Sequence, residues 1–195
     1  MTSLAVRLLT ILLLAVPLPG HAATALPGDS VYLLDAQFSD QAGKAFTLAD
    51  RRGKPQLVSM FYTSCRYVCP LIVDSAKGVE HALSPVERNR LGVLLISMDP
   101  ARDDTAALAS VARKRKLDPA RWTLARTEAA SVRSVAALLG VRYRALADGE
   151  FNHTSALVLL DAEGRVVART ERLGSVPDPV FLAAVKAALA GSPGQ

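Results

Sequence analysis

Cysteine is nearly missing from this 195-residue chain: Cys65 and Cys69 are the only two, with three residues between them. Long apolar runs are missing as well. The N-terminal run, Leu8 to Val16, has about half of the ~20 residues that a membrane-spanning helix needs, which argues against a permanent anchor. No cysteine lies near its end, so lipid attachment is not indicated. Nowhere do aromatic residues interleave with bases as they do in nucleic-acid grooves, and no nucleic-acid partner is expected. Neither an internal repeat nor a low-complexity linker interrupts residues 29–191, as suits one domain. Finally, no proline falls between Pro119 and Pro177.

What is present at the N-terminus has the layout of a secretory signal: Arg7, the short apolar run, then Pro17, Pro19 and Gly20 before small residues. Residues 1–25 are read as that signal, with cleavage after Ala22, Ala23 or Ala25, and residues 26–195 as a single domain. The expected location is exported and periplasmic, with membrane association if the signal stays uncleaved. Removing Arg7 with the signal lowers the formal charge from +5 to +4, a mild excess. The one basic run, Arg113 to Lys116, reads as a solvated helix face, with a partner-docking patch as the alternative. Beyond a membrane, two cysteines meet an oxidising compartment and form a disulfide unless something reduces them.

The apolar stretches Leu57 to Tyr62 and Leu91 to Met98 are nearly continuous. Such runs suit strands buried on both faces of a helix-covered sheet. Ahead of them, Val31 to Pro55 reads as an early strand, a turn at Asp40 to Lys44 and a second short strand at Phe46 to Leu48. Helices are expected over Pro70–Leu83, from an Asp103 or Asp104 cap to about Lys116, and over Glu128–Leu139 with Gly140 behind it. "SALVLLDAEGRVVART" reads as a hairpin turning at Asp161 to Gly164. A last helix starts at Asp178 and Pro179 and stops at Gly191. This order predicts an α/β sandwich, and the nearest common architecture is the thioredoxin-like fold with an N-terminal β-hairpin extension.

Both cysteines fall where the first buried strand ends and a helix begins. A helix N-terminus presents unpaired amide hydrogens that stabilise thiolate over thiol. Three readings of the pair stand side by side. A structural disulfide closing so small a loop removes little chain entropy. Dithiol exchange would use one thiolate to attack a partner's disulfide and the other to resolve it. Metal binding by two soft thiolates favours copper(I) and calls for a third ligand. Of the histidines beyond the signal, His81 sits among polar neighbours on a helix, whereas His153 in "GEFNHTSALVLLD" precedes the strand of the later hairpin, beside the strand that presents the cysteines. Trp122, Met60 and Met98 read as core.

"FYTSCRYVCP", "ISMDPARDD" and "FNHTSALVLLD", in that order, resemble the Sco (SenC) family of copper-handling proteins from about Val31 to Leu189. The resemblance implies one copper ion, Cu(I) or Cu(II), held by Cys65, Cys69 and His153. It further implies a chaperone that delivers copper to, or reduces the cysteines of, the dinuclear copper centre of cytochrome c oxidase. The implied partners are that copper-acceptor subunit and a thioredoxin-like reductant or another copper chaperone. Asp99, with Arg102 after it, corresponds to the family's Asp-Pro segment. Asp99 is expected to lie behind the ligands, either orienting His153 or accepting from Arg102, or to serve as a turn residue. Where many members have proline after the first cysteine this chain has Arg66, whose charge stabilises a Cys65 thiolate. The alternative reading is a thiol-disulfide oxidoreductase without copper. Cys-x3-Cys spacing in place of Cys-x2-Cys, and the missing proline before the later hairpin, favour the metal site. A peroxiredoxin would need a proline upstream of Cys65 that is not there.

Overall fold

The computed structural model describes residues 25–65 and 68–191, except for the side chains of Val68 and Cys69. The expected signal segment and Arg66 lie outside these residues, apart from Ala25 at the signal's end. Seven strands form the main sheet: β1 (Phe38–Asp40), β2 (Ala45–Phe46), β3 (Gln56–Phe61), β4 (Gly92–Ser97), β5 (Trp122–Thr127), β8 (Leu157–Leu160) and β9 (Val166–Thr170). A separate pair, β6 (Tyr143–Ala145) and β7 (Phe151–His153), makes a small hairpin. The helices are α1 (Val68–His81), α2 (Pro85–Asn89), α3 (Thr105–Lys114), α4 (Ala129–Leu138) and α5 (Pro179–Gly191). Among the described residues, no helix is long and apolar enough to cross a membrane.

The sheet order is β2-β1-β5-β4-β3-β8-β9. β3, β4 and β5 run parallel, while β1 and β8 join them antiparallel. Every residue of β3 and β4 is buried, which explains why neither strand alternates. Val58, Leu94 and Ile96 line a small cavity with Val135 of α4 and Leu139 just after it on one face. On the other, Trp122 is buried and its indole N–H donates to Glu80 of α1 at 2.8 Å. Met60 and Met98 are core, as expected. The result is the thioredoxin-like arrangement anticipated from the element order, N-terminal hairpin included.

Three local readings change. Val31–Leu33 forms a 3-10 turn capped by Ser30, not a strand. β5 was not anticipated, because its threonines and arginine mask a strand buried on both sides. His153 stands at the end of β7, opposite Tyr143, on a hairpin of its own and not in a loop leading into β8.

Candidate functional site

The site lies at the C-terminal end of β3, where α/β folds place their chemistry. After Phe61 the chain leaves the sheet, and the Cys65 amide turns back to donate to the Tyr62 carbonyl at 3.3 Å, leaving Cys65 half-buried. α1 then starts at Val68, two residues before the expected Pro70, so the backbone of Cys69 falls within its first turn. Proline fits there because first-turn amides have no intrahelical acceptor.

The turn leading to Cys65 is held by an acid that the sequence reading treated only as a possible helix cap. Asp104 takes the cap, accepting from the Ala107 amide at 2.7 Å. Asp103 turns inward and is fully buried. Its carboxylate accepts from the Thr63 hydroxyl at 2.5 Å, the Thr63 amide at 3.1 Å and the Ser97 hydroxyl at 2.5 Å. Burial pushes its pKa up, partly offset by those bonds from Ser97 and Thr63. The signal that could have found it is the doubled Asp103-Asp104, of which a helix needs only one as a cap.

His153 is half-buried, and burial holds its imidazole below the ordinary value of 6.5, so the ring is neutral at pH 7. Its Nδ1 lies 3.2 Å from the Thr154 carbonyl and 3.5 Å from the Ser155 hydroxyl. A carbonyl only accepts, so Nδ1 carries the proton and Nε2 keeps its lone pair. The segment after His153 is pinned beside β3 by Ser59, whose hydroxyl donates to the Ala156 carbonyl at 2.6 Å.

Tyr62 connects the two halves. Its ring meets His153 edge-on with centroids 5.9 Å apart, and meets Phe151 at 5.1 Å. The hydroxyl donates to Glu150 Oε2 at 2.7 Å and also makes a hydrogen-bond contact with the Cys65 side chain. Burial first, then these two contacts, raise its pKa far above the usual phenol value, so Tyr62 stays protonated. The histidine loop and the cysteine turn therefore share one side chain.

Asp99 and Arg102 lie on the same side. Asp99 is buried and forms an ion pair with Arg102. The guanidinium also donates to the Gly149 carbonyl in the β6–β7 turn and sits over the Phe151 ring at 5.9 Å. Gly149 has φ +83, and a side chain there would be strained and would crowd Arg102. Asp99 thus accepts from Arg102 and does not reach His153, which Thr154 and Ser155 orient instead. His81 is exposed on α1, as expected. Among the described residues, no group of three His, Cys, Asp or Glu side chains closes a metal site. One imidazole nitrogen and the half-buried Cys65 sulfur are still the donor types that copper(I) takes.

Comparison with curated proteins finds no match. Among solved structures, ScoI of Bradyrhizobium japonicum with copper bound is 27% identical, covers 78% of this chain and 96% of its own, and superposes with a TM-score of 0.65. A putative electron transfer protein of Aquifex aeolicus VF5 shares the fold at 22% identity and a TM-score of 0.70, covering 86% and 96%. So does BsSco, a member of the Sco family of cytochrome c oxidase assembly proteins, at 19% and 0.67, covering 80% and 91%. The SCO1/SenC family model matches residues 30–189, a span that takes in the cysteine turn, the Asp99–Arg102 pair and His153, and the protein belongs to the SCO1/SenC family.

Proposed function

We propose that this protein is a copper-binding chaperone, holding one copper ion as cargo through Cys65, Cys69 and His153. The observation that carries this reading is the imidazole of His153. It is kept neutral by burial, has Nδ1 occupied by the Thr154 carbonyl, and is held against the tyrosine that also contacts Cys65. With Nδ1 taken by the carbonyl, Nε2 is the nitrogen left to meet a metal. The copper-bound relative from Bradyrhizobium adds support from outside the chain. Release follows by ligand exchange, in which thiolates of an acceptor displace the three donors in turn. Family membership favours the dinuclear copper centre of cytochrome c oxidase as that acceptor. The Arg7-to-Ala25 segment supports export to the periplasm.

A second reading rests on Cys69 lying in the first turn of α1, a position that favours thiolate. In it the dithiol reduces an acceptor disulfide: two electrons and two protons leave Cys65 and Cys69, which end as a disulfide while the acceptor ends as two thiols. His153→Ala separates the readings. A chaperone loses copper hand-off to an acceptor peptide carrying two thiols and keeps disulfide reduction. If hand-off is unchanged in the variant, the three-ligand reading is wrong; if the wild type hands off no copper yet reduces the disulfide, the reductase stands.

A further inference from the structure

A cleft lies far from the cysteines, at the opposite end of the sheet where β3 and β4 begin. Its volume is about 480 Å3, and its walls carry Arg51, Arg52, Lys54, Arg90 and Arg121 against one acid, Asp50. That acid is turned away, since its carboxylate accepts from the Thr47 amide at 2.7 Å and hydroxyl at 3.0 Å. Arg52 is paired with Glu163, and Arg121 with Glu80 and Asp118. Arg51 lies over the Phe46 ring at 4.4 Å. Lys54 has no ion pair among the described residues. Its pKa is lowered by burial and then by Arg121 and Arg51, the mark of a cation held among cations. Arg52 and Arg121 are balanced by acids outside the lining, and Arg51 and Lys54 still give the concavity a positive wall that favours an anion.

Gln56 borders the same cleft. It is 3% exposed, and its amide nitrogen donates to the Lys54 carbonyl at 3.1 Å. That carbonyl can only accept, so the amide orientation is fixed and Oε1 is left buried without a partner. Gly92 leaves the room for it, since a Cβ there would come within 2.2 Å of Oε1. A buried acceptor without a donor costs stability. The cleft therefore offers several cations beside a buried Gln56 whose Oε1 lacks a donor, which suits a ligand with anionic oxygens.

We propose that this cleft binds a phosphate monoester or diester, the chemistry shared by glycerol 3-phosphate and a phosphatidylglycerol headgroup. The chain enters the fold close by: the Val31 amide donates to the Gly164 carbonyl at 2.9 Å, next to the Glu163 that pairs with Arg52 on the rim.

The test uses the full chain, titrated with glycerol 3-phosphate and with inorganic sulfate, and mixed with phosphatidylglycerol or phosphatidylcholine vesicles. Thermal melts of each variant check the fold. Glycerol 3-phosphate is expected to bind more tightly than sulfate, and Lys54→Gln to weaken it about tenfold while Lys54→Arg does not. Copper binding should be unchanged in both variants. Binding to phosphatidylglycerol vesicles alone, sensitive to Lys54→Gln, assigns the site to a lipid headgroup; binding to the soluble ester alone assigns it to a free metabolite. Absence of both, or binding that Lys54→Gln leaves intact, overturns the proposal.

Discussion

Tyr62 stands edge-on to His153, ring centroids 5.9 Å apart and planes at 77°, while its hydroxyl holds Glu150 at 2.7 Å. A residue at the end of β3 thereby sets where a hairpin some ninety residues later in the chain presents its imidazole.

Tyr62→Phe keeps the ring and removes the hydroxyl. Stability should fall by about 1 kcal/mol, the net worth of one hydrogen bond. Copper affinity should fall by about tenfold, as when a group supporting a metal ligand is lost. A thermal melt and a competition titration with a copper(I) chelator read the two effects. Unchanged affinity would show that the site is held without the Tyr62 hydroxyl.

Arg102 clamps the β6–β7 turn from the other side. Arg102→Ala should cost only about 1 kcal/mol, because the guanidinium is largely exposed. It should, however, speed amide exchange at Leu146 and Gly149, whose amides close that turn. Arg102→Lys keeps the charge but loses the planar fork, so it should recover stability without restoring slow exchange. Equal exchange in all three proteins would contradict the clamp.

Asp103 holds the cysteine turn through Thr63. Asp103→Ala strands the Thr63 amide and two hydroxyls and should destabilise by about 3 kcal/mol. Burial raises its pKa in the fold above 3.8, so the folded state takes up a proton before the unfolded state does. The stability that this lends is complete below 3.8 and is lost as pH rises through the raised value. Against Asp103→Asn, which has no such proton, the wild type should gain Tm as pH falls from 7 toward 4. Parallel Tm profiles would count against a carboxylate buried at this position.

Much of this arrangement was readable in advance. The unbroken apolar runs marked β3 and β4, and Asp178 with Pro179 marked the start of α5, because burial on both faces and a proline at N1 leave direct traces in composition. Cys65 and His153 were picked out by residue type, since few residues can bind copper. The supporting groups were not readable. Glu80 serves β5 through Trp122 and Arg121, forty-one or more residues away, and Asp103 serves Thr63 across forty. A buried carboxylate of this kind looks in sequence like any helix cap or surface acid, and only the fold shows what it accepts from.

His153 also carries a pH signature. With its pKa below 6.5, proton competition for Nε2 should be absent at pH 7 and begin only below that value. The affinity ratio of wild type to His153→Ala should therefore hold from pH 8 to 7 and shrink only as pH falls below 6.5. A ratio that is already half lost at pH 6.5 or above would mean that burial does not lower this imidazole's pKa.

X-ray absorption at the copper edge of the copper(I)-loaded full chain tests the central claim most directly. Two sulfur donors and one imidazole nitrogen are expected, with the imidazole scattering lost in His153→Ala and one sulfur lost in either Cys65→Ser or Cys69→Ser. A site of sulfur donors alone, unchanged in His153→Ala, would contradict it.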